Sequence, residues 1–200
     1  MTTDLIARLA DLIARLEDAL PQTQCRQCGF TGCTEYARAI AAGTPINRCP
    51  PGGAAGIRAL AAVTGRPELP LDPEYGTEAP FAVARIDAAR CIGCRRCVRV
   101  CPTDALTGAP KHLFAVIDAY CTGCALCIPA CPMDCITMQD SDHVWNHDDA
   151  RRARRRFDAK KARLAAQNDA IYRRSASDAK SAVMTNLSAL LAERRQKVRQ

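Results

Sequence analysis

The chain has 200 residues, a formal net charge of +7, only 4% aromatic residues and thirteen cysteines. That length accommodates one or two ordinary domains, but so few aromatics argue against a single large core. No stretch approaches the roughly 18 apolar residues of a membrane span, and Met1 leads into Thr2, Thr3 and Asp4 with no cationic start, apolar region or cleavage site of a secretory signal. The cysteines are therefore expected to be reduced thiols in a cytoplasmic setting rather than a disulfide framework.

The charge is unevenly placed. Residues 1–80 hold seven arginines against nine acids, residues 81–140 six bases against five acids, and residues 141–200 fifteen bases against seven acids. The basicity thus belongs to the C-terminal tail.

In chain order, apolar residues at three- and four-residue steps from Leu5 to Leu20 predict an amphipathic, core-packing helix within segment 1–21, ended by Pro21. Residues 22–65 are rich in cysteine and glycine, with helices predicted at 34–42 and 54–63. Pro67, Pro70, Pro73 and Pro80 mark an extended linker over 66–80. Segment 81–140 contains an internal repeat. Cys91, Cys94, Cys97, Cys101 and Pro102 recur as Cys121, Cys124, Cys127, Cys131 and Pro132 at an offset of 30 residues, and Ile86-Asp87 matches Ile117-Asp118 after a one-residue slip. Two related halves packed about a pseudo-twofold axis follow from this. Segment 141–200 reads as a basic helical tail, starting near 148 and poorly amphipathic. Ser175 and Asp178 suggest a capping box for a second helix with Val183, Met184, Leu187, Leu190 and Leu191 on one stripe. The expected fold class is α+β: a small α-rich single-cluster domain, then a two-cluster ferredoxin-like domain, flanked by N- and C-terminal helices.

The cysteine spacing carries the chemistry. Three thiolates at two-residue gaps wrap one face of a cubane, and in two-cluster ferredoxins the fourth cysteine of the run C-x2-C-x2-C-x3-C-P ligates the other cluster. This assigns Cys91, Cys94, Cys97 and Cys131 to one [4Fe–4S] cluster, and Cys121, Cys124, Cys127 and Cys101 to another. Zinc also uses C-x2-C knuckles, but normally as separated pairs. Cys25, Cys28, Cys33 and Cys49 form a third set with wider spacing, for which zinc competes more seriously and the neighbouring repeat favours a third [4Fe–4S] cluster. Cys135 is left over, and its repeat equivalent Ala105 makes it a buried small hydrophobe. His112, His143 and His147 read as surface residues and Trp145 as a packing anchor.

The stretch from Leu20 through Cys25, Cys28, Cys33 and Tyr36, closing at Arg48-Cys49-Pro-Pro-Gly-Gly53, closely resembles the B subunit of Rnf/Rsx-type ion-translocating electron transport complexes. The likeness continues through Pro70 to Gly76 and Cys101 to Lys111, and ends near Cys131 to Ile136. The resemblance implies a three-cluster protein relaying electrons between a ferredoxin- or NADH-type donor and an oxidoreductase or the other subunits of such a complex. Its members usually begin with a hydrophobic membrane anchor, where Met1 to Leu20 is amphipathic and charged. A form without the anchor is expected, cytoplasmic or peripheral on the inner face of the cell membrane.

No P-loop, dinucleotide fingerprint or separate cysteine–histidine pair is present, so no catalytic residues are assigned. An electron-transfer component is expected rather than a self-sufficient catalyst. The alternative from another class is a nucleic-acid-associated iron–sulfur or zinc protein using its basic tail; arginine runs are more commonly solvated helix faces, and few aromatics accompany this one. Arg95, Arg96 and Arg99 stand on the first repeat motif where the second has Ala125, Leu126 and Pro129. That asymmetry marks either positions that are merely exposed or a docking place for an acidic redox partner beside Cys91, Cys94 and Cys97.

Overall fold

The computed structural model describes the backbone of residues 3–198, with side chains described from Asp4 to Ser175 and at Met184. Residues Met1–Asp158 make one compact unit and Ala159–Gln200 a second.

Helix α1 (Thr3–Ala19) ends before Pro21 as its periodicity predicts. Its stripe is used unevenly. Leu16 and the following Leu20 are fully buried, Leu12 and Ile13 are partly so, and Leu5, Ile6 and Leu9 are exposed. The expectation of a core-packing helix therefore holds for its second half. That half packs on α2 (Cys33–Ala41) and α3 (Gly53–Thr64). Leu16, Leu20, Tyr36, Ile40, Ile46, Ile57 and Leu60 form one core, each large aliphatic side chain contributing about 1.5–3 kcal/mol by leaving water. Gly65 closes α3 at φ +69°, the left-handed conformation that ends helices without a Cβ penalty.

The proline-rich segment 66–80 folds back over this core instead of running free. Asp72 N–H donates to the Asn47 carbonyl, Asn47 Nδ2 to the Pro70 carbonyl and Ala54 N–H to Glu78 Oε2. The prolines restrict the chain, but these polar contacts direct it.

The repeat builds the second core. Its first half runs β1 (Ala82–Ile86), α4 (Arg96–Val100), β2 (Leu106–Gly108); its second runs β3 (Phe114–Val116), α5 (Cys127–Ala130), β4 (Ile136–Asp140). The strands pair across the halves: β1 with β4, Ile86 opposite Ile136, and β2 with β3, Leu106 opposite Val116, both antiparallel. Symmetry extends to the backbone. Asp87 N–H donates to the Cys135 carbonyl (2.8 Å) as Ile117 N–H does to that of Ala105 (2.7 Å), and Cys91 N–H to Asp87 as Cys121 N–H to Ile117. These equivalences hold at a constant offset of 30, so the one-residue slip seen in the residue types is absent from the backbone.

Left-handed conformations repeat as well, at Gly93 and Gly123, Arg95 and Ala125, Asp104 and Asp134. The glycines are obligatory. A Cβ at Gly93 would lie 2.6 Å from the His112 carbonyl oxygen, and one at Gly123 2.8 Å from that of Ala82.

Helix α6 (His147–Val198) is continuous. The two-helix expectation fails because the Ser175 hydroxyl donates back to the Tyr172 carbonyl, a mid-helix bond instead of a cap. Of the expected stripe only Met184 lies among the described side chains, and it is exposed. The real cap is Asn146, whose Oδ1 accepts from Asp148 and Asp149 N–H while Asp149 Oδ2 accepts from Asn146 N–H.

The arginines just inside this helix are not simply a solvated face. Arg154 pairs with the buried Glu17 of α1, and Arg152 Nε donates to the Ala119 carbonyl. Arg156 Nε donates to the Thr103 carbonyl, with its guanidinium 3.5 Å from the Tyr120 ring centroid. Trp145 anchors as expected, Nε1 donating to the Pro21 carbonyl. His143 and His147 are half exposed, yet each meets a carboxylate, Asp149 and Asp18 respectively. Among the described residues no helix is long and apolar enough to cross a membrane.

Candidate metal centres

Two cavities in the repeat are each lined by four cysteines of the expected sets. One takes Cys91, Cys94 and Cys97 from the first half and Cys131 from the second; the other takes Cys121, Cys124 and Cys127 from the second half and Cys101 from the first. The crossing arises because α4 carries Cys97 in its first turn and is followed by Cys101, while α5 begins at Cys127 and is followed by Cys131. One short helix thus carries a thiol to each cavity. The remaining walls are mainly apolar, with Ile86, Phe114 and Ile136 around the first and Ala84, Leu106, Val116 and Met138 around the second.

Backbone amides aim at the sulfurs. Ala105 N–H donates to Cys101 Sγ (3.2 Å) and Ala84 N–H to Cys121 Sγ (3.5 Å). Burial pushes the Cys124 thiol up to about 11 and Cys127 to about 12, with neighbouring cysteines adding to both. Gathering four thiolates around one cavity is costly unless cations compensate. In each case four thiols ring an otherwise mainly apolar cavity, and this donor set fits a polynuclear iron–sulfur group.

Cys25, Cys28, Cys33 and Cys49 come together in the first core, the last three buried. Burial pushes Cys33 up to about 12 and Cys49 well above its usual value, and each thiol is raised further by the other cysteines of the set. Their loop is unusual. Gln22, Gln24 and Arg26 all have positive φ, a strain of order 1 kcal/mol each. A buried glutamine chain offsets it: Gln22 Nε2 donates to the Glu17 carbonyl, Gln24 Nε2 to Gln22 Oε1, and Cys33 N–H to Gln24 Oε1. Burial raises the Cys28 thiol as well, and the positive charge of Arg48 opposes that only in small part.

The first site adjoins the cavity of Cys101, Cys121, Cys124 and Cys127. The Thr122 hydroxyl, which also lies against the Cys124 thiol, donates to the Thr23 carbonyl two residues before Cys25. The cavity of Cys91, Cys94, Cys97 and Cys131 reaches the surface, where Cys94, Arg95 and Arg96 are exposed.

The structure thus brings together all twelve sequence-expected cysteines in three sets. Sequence reasoning missed Thr122, Gln22 and Gln24, which carry no spacing signal. Cys135 is buried in the second core, as expected of a small hydrophobe, and it does more than fill space. Its sulfur in fact stands 3.4 Å from Cys131 Sγ, in the wall of that cavity.

Comparison with known proteins points to the same class of cofactor. Residues 84–138 match the 4Fe-4S dicluster domain family, and residues 20–51 match a family described as a putative Fe-S cluster. The chain is an iron–sulfur protein with an α+β fold. Over about half of its length it is homologous to the B subunit of ion-translocating oxidoreductase complexes. Identity is 53% over 108 residues with the B subunit from Azoarcus sp. (strain BH72), covering 54% of this chain and 59% of the relative. It is 50% over 107 residues for that of Thiobacillus denitrificans, covering 53% and 57%. For that of Stutzerimonas stutzeri it is 55% over 98 residues, covering 49% and 51%. The chain thus spans little more than half the length of these relatives.

Proposed function

We propose that the chain is a one-electron relay carrying three [4Fe–4S] clusters: one on Cys25, Cys28, Cys33 and Cys49, one on Cys121, Cys124, Cys127 and Cys101, and one on Cys91, Cys94, Cys97 and Cys131. The observation that carries this reading is the crossed lining of the two repeat cavities, three thiols from one half and the fourth from the other. A ferredoxin pair built that way keeps its clusters adjacent. The Thr23–Thr122 contact supports an order in which the first cluster exchanges electrons with the Cys121 cluster, and that with the Cys91 cluster.

Bound clusters supply the one-electron redox change; the chain's residues bind them, exclude water and set their potentials through N–H donors to sulfur. The exposed Cys94 makes the Cys91 cluster the port for an external carrier. The relatives are named as B subunits of ion-translocating oxidoreductase complexes, which supports partners within such a complex; the donor in this reading is of ferredoxin or NADH type. The engagement of Arg152, Arg154 and Arg156 within the fold leaves the nucleic-acid alternative without a specific observation in its favour.

Anaerobic reconstitution with iron and sulfide tests the reading. The expected product holds about twelve irons per chain and shows broad sulfide-to-iron absorption. Fewer than about eight irons, or zinc retained in preference to iron, overturns it.

A further inference from the structure

The two halves of the repeat share their backbone conformation but differ by one sulfur. Asp104 and Asp134 have the same left-handed φ, and the residues that follow, Ala105 and Cys135, accept equivalent backbone hydrogen bonds. At Ala105 the side chain is a methyl group beside Cys101. At Cys135 it is a thiol, 4% exposed, with Sγ 3.4 Å from Cys131 Sγ. Cys135 also lines the cavity of Cys91, Cys94, Cys97 and Cys131, so that cavity has five sulfurs of cysteine in its wall and the other has four.

We propose that Cys135 is a second thiol ligand for this site, able to take the iron held by Cys131. The proposal rests on the ligand sets given above. In the exchange the iron–sulfur bond to Cys131 breaks as one to Cys135 forms, the Cys135 proton passes to the released Cys131 sulfur, and no oxidation state changes. The step costs little motion because the two sulfurs are already in contact. It also falls where it is useful. This cavity has the exposed cysteine, Cys94, a ligand that oxidants can reach from solvent. The Cys101 site has no such reserve.

The test uses the full chain, reconstituted anaerobically with ferrous iron and sulfide, and reads iron content and the low-temperature EPR spectrum after reduction. Cys131→Ala is expected to keep the full iron complement with an altered EPR signal from one cluster. Adding Cys135→Ala to it should remove about four irons per chain, whereas Cys135→Ala alone keeps them all. Cys101→Ala should lose about four irons by itself, and Ala105→Cys in that background should restore them, a gain that misfolding cannot mimic.

Cys131→Ala losing as much iron as the double variant overturns the proposal and leaves the ligand sets intact. Full iron in the double variant overturns both, since Cys131 would then not be a ligand at all.

Discussion

The Thr122 hydroxyl donates a 2.8 Å hydrogen bond to the Thr23 carbonyl across a buried contact between residues 99 positions apart. Thr122 follows Cys121 directly and Thr23 precedes Cys25 by two, so this bond joins the loops of two thiol sets. Thr122→Val keeps the shape and removes the donor. It is expected to slow electron exchange between the first and the Cys121 cluster several-fold at unchanged iron content, and to cost about 1–2 kcal/mol of stability. Thr122→Ser, which retains the hydroxyl, should restore the rate. Freeze-quenched EPR after rapid reduction distinguishes the two, and equal rates in both variants would remove Thr122 from the path.

Arg154 and Glu17 link the start of α6 to α1, with the carboxylate 5% exposed and the guanidinium half-exposed. Arg154→Ala leaves that carboxylate buried without its partner. A loss of about 1–2 kcal/mol is expected, below the range for fully buried pairs because water reaches the arginine. Glu17→Gln should suppress most of the defect. Chemical unfolding of the loaded protein provides the measurement, and additive effects of the two substitutions would count against the pairing.

Asp149 is held below the usual carboxylate range. Burial pushes it up, but His143, the Asn146 N–H and Arg152 outweigh that. A folded-state value lowered in this way adds stability above the unfolded value of about 4, which is lost as pH falls through the folded value. Asp149→Asn is therefore expected to lower stability near neutral pH and to flatten its acid limb below about pH 4. An acid limb identical to that of the wild type would show that Asp149 is not the group responsible.

Arg95 and Arg96 are exposed beside the exposed Cys94, whereas the second repeat has Ala125 and Leu126 at those places. Replacing both arginines by glutamate should slow electron exchange with an acidic carrier protein about tenfold or more at low salt, and much less at high salt. Stopped-flow rates across ionic strength measure this; a salt-independent defect would point to damage at the cluster instead of lost attraction.

The thiol sets were legible because their geometry is local. Cys91, Cys94 and Cys97 are separated by two-residue gaps, and spacing over so short a span is itself a structural constraint. The crossed fourth thiols were also legible, since in a repeated C-x2-C-x2-C-x3-C-P run the fourth cysteine serves the other half's site. The end of α1 before Pro21 follows from that one residue's backbone chemistry. The one-residue slip at Ile86 was misread because residue types can drift where backbone hydrogen bonds cannot.

What the sequence determined by itself is therefore the identity and grouping of the twelve cysteines, and through them the class of cofactor. The tertiary structure alone decided that Thr122 meets Thr23, that Arg154 meets a glutamate 137 residues away, that segment 66–80 straps the first core, and that Cys135 touches Cys131. Those contacts depend on how two separately formed cores and a helix are seated together. Single polar groups matched across such a seat leave no period, spacing or composition in the chain from which they could be read.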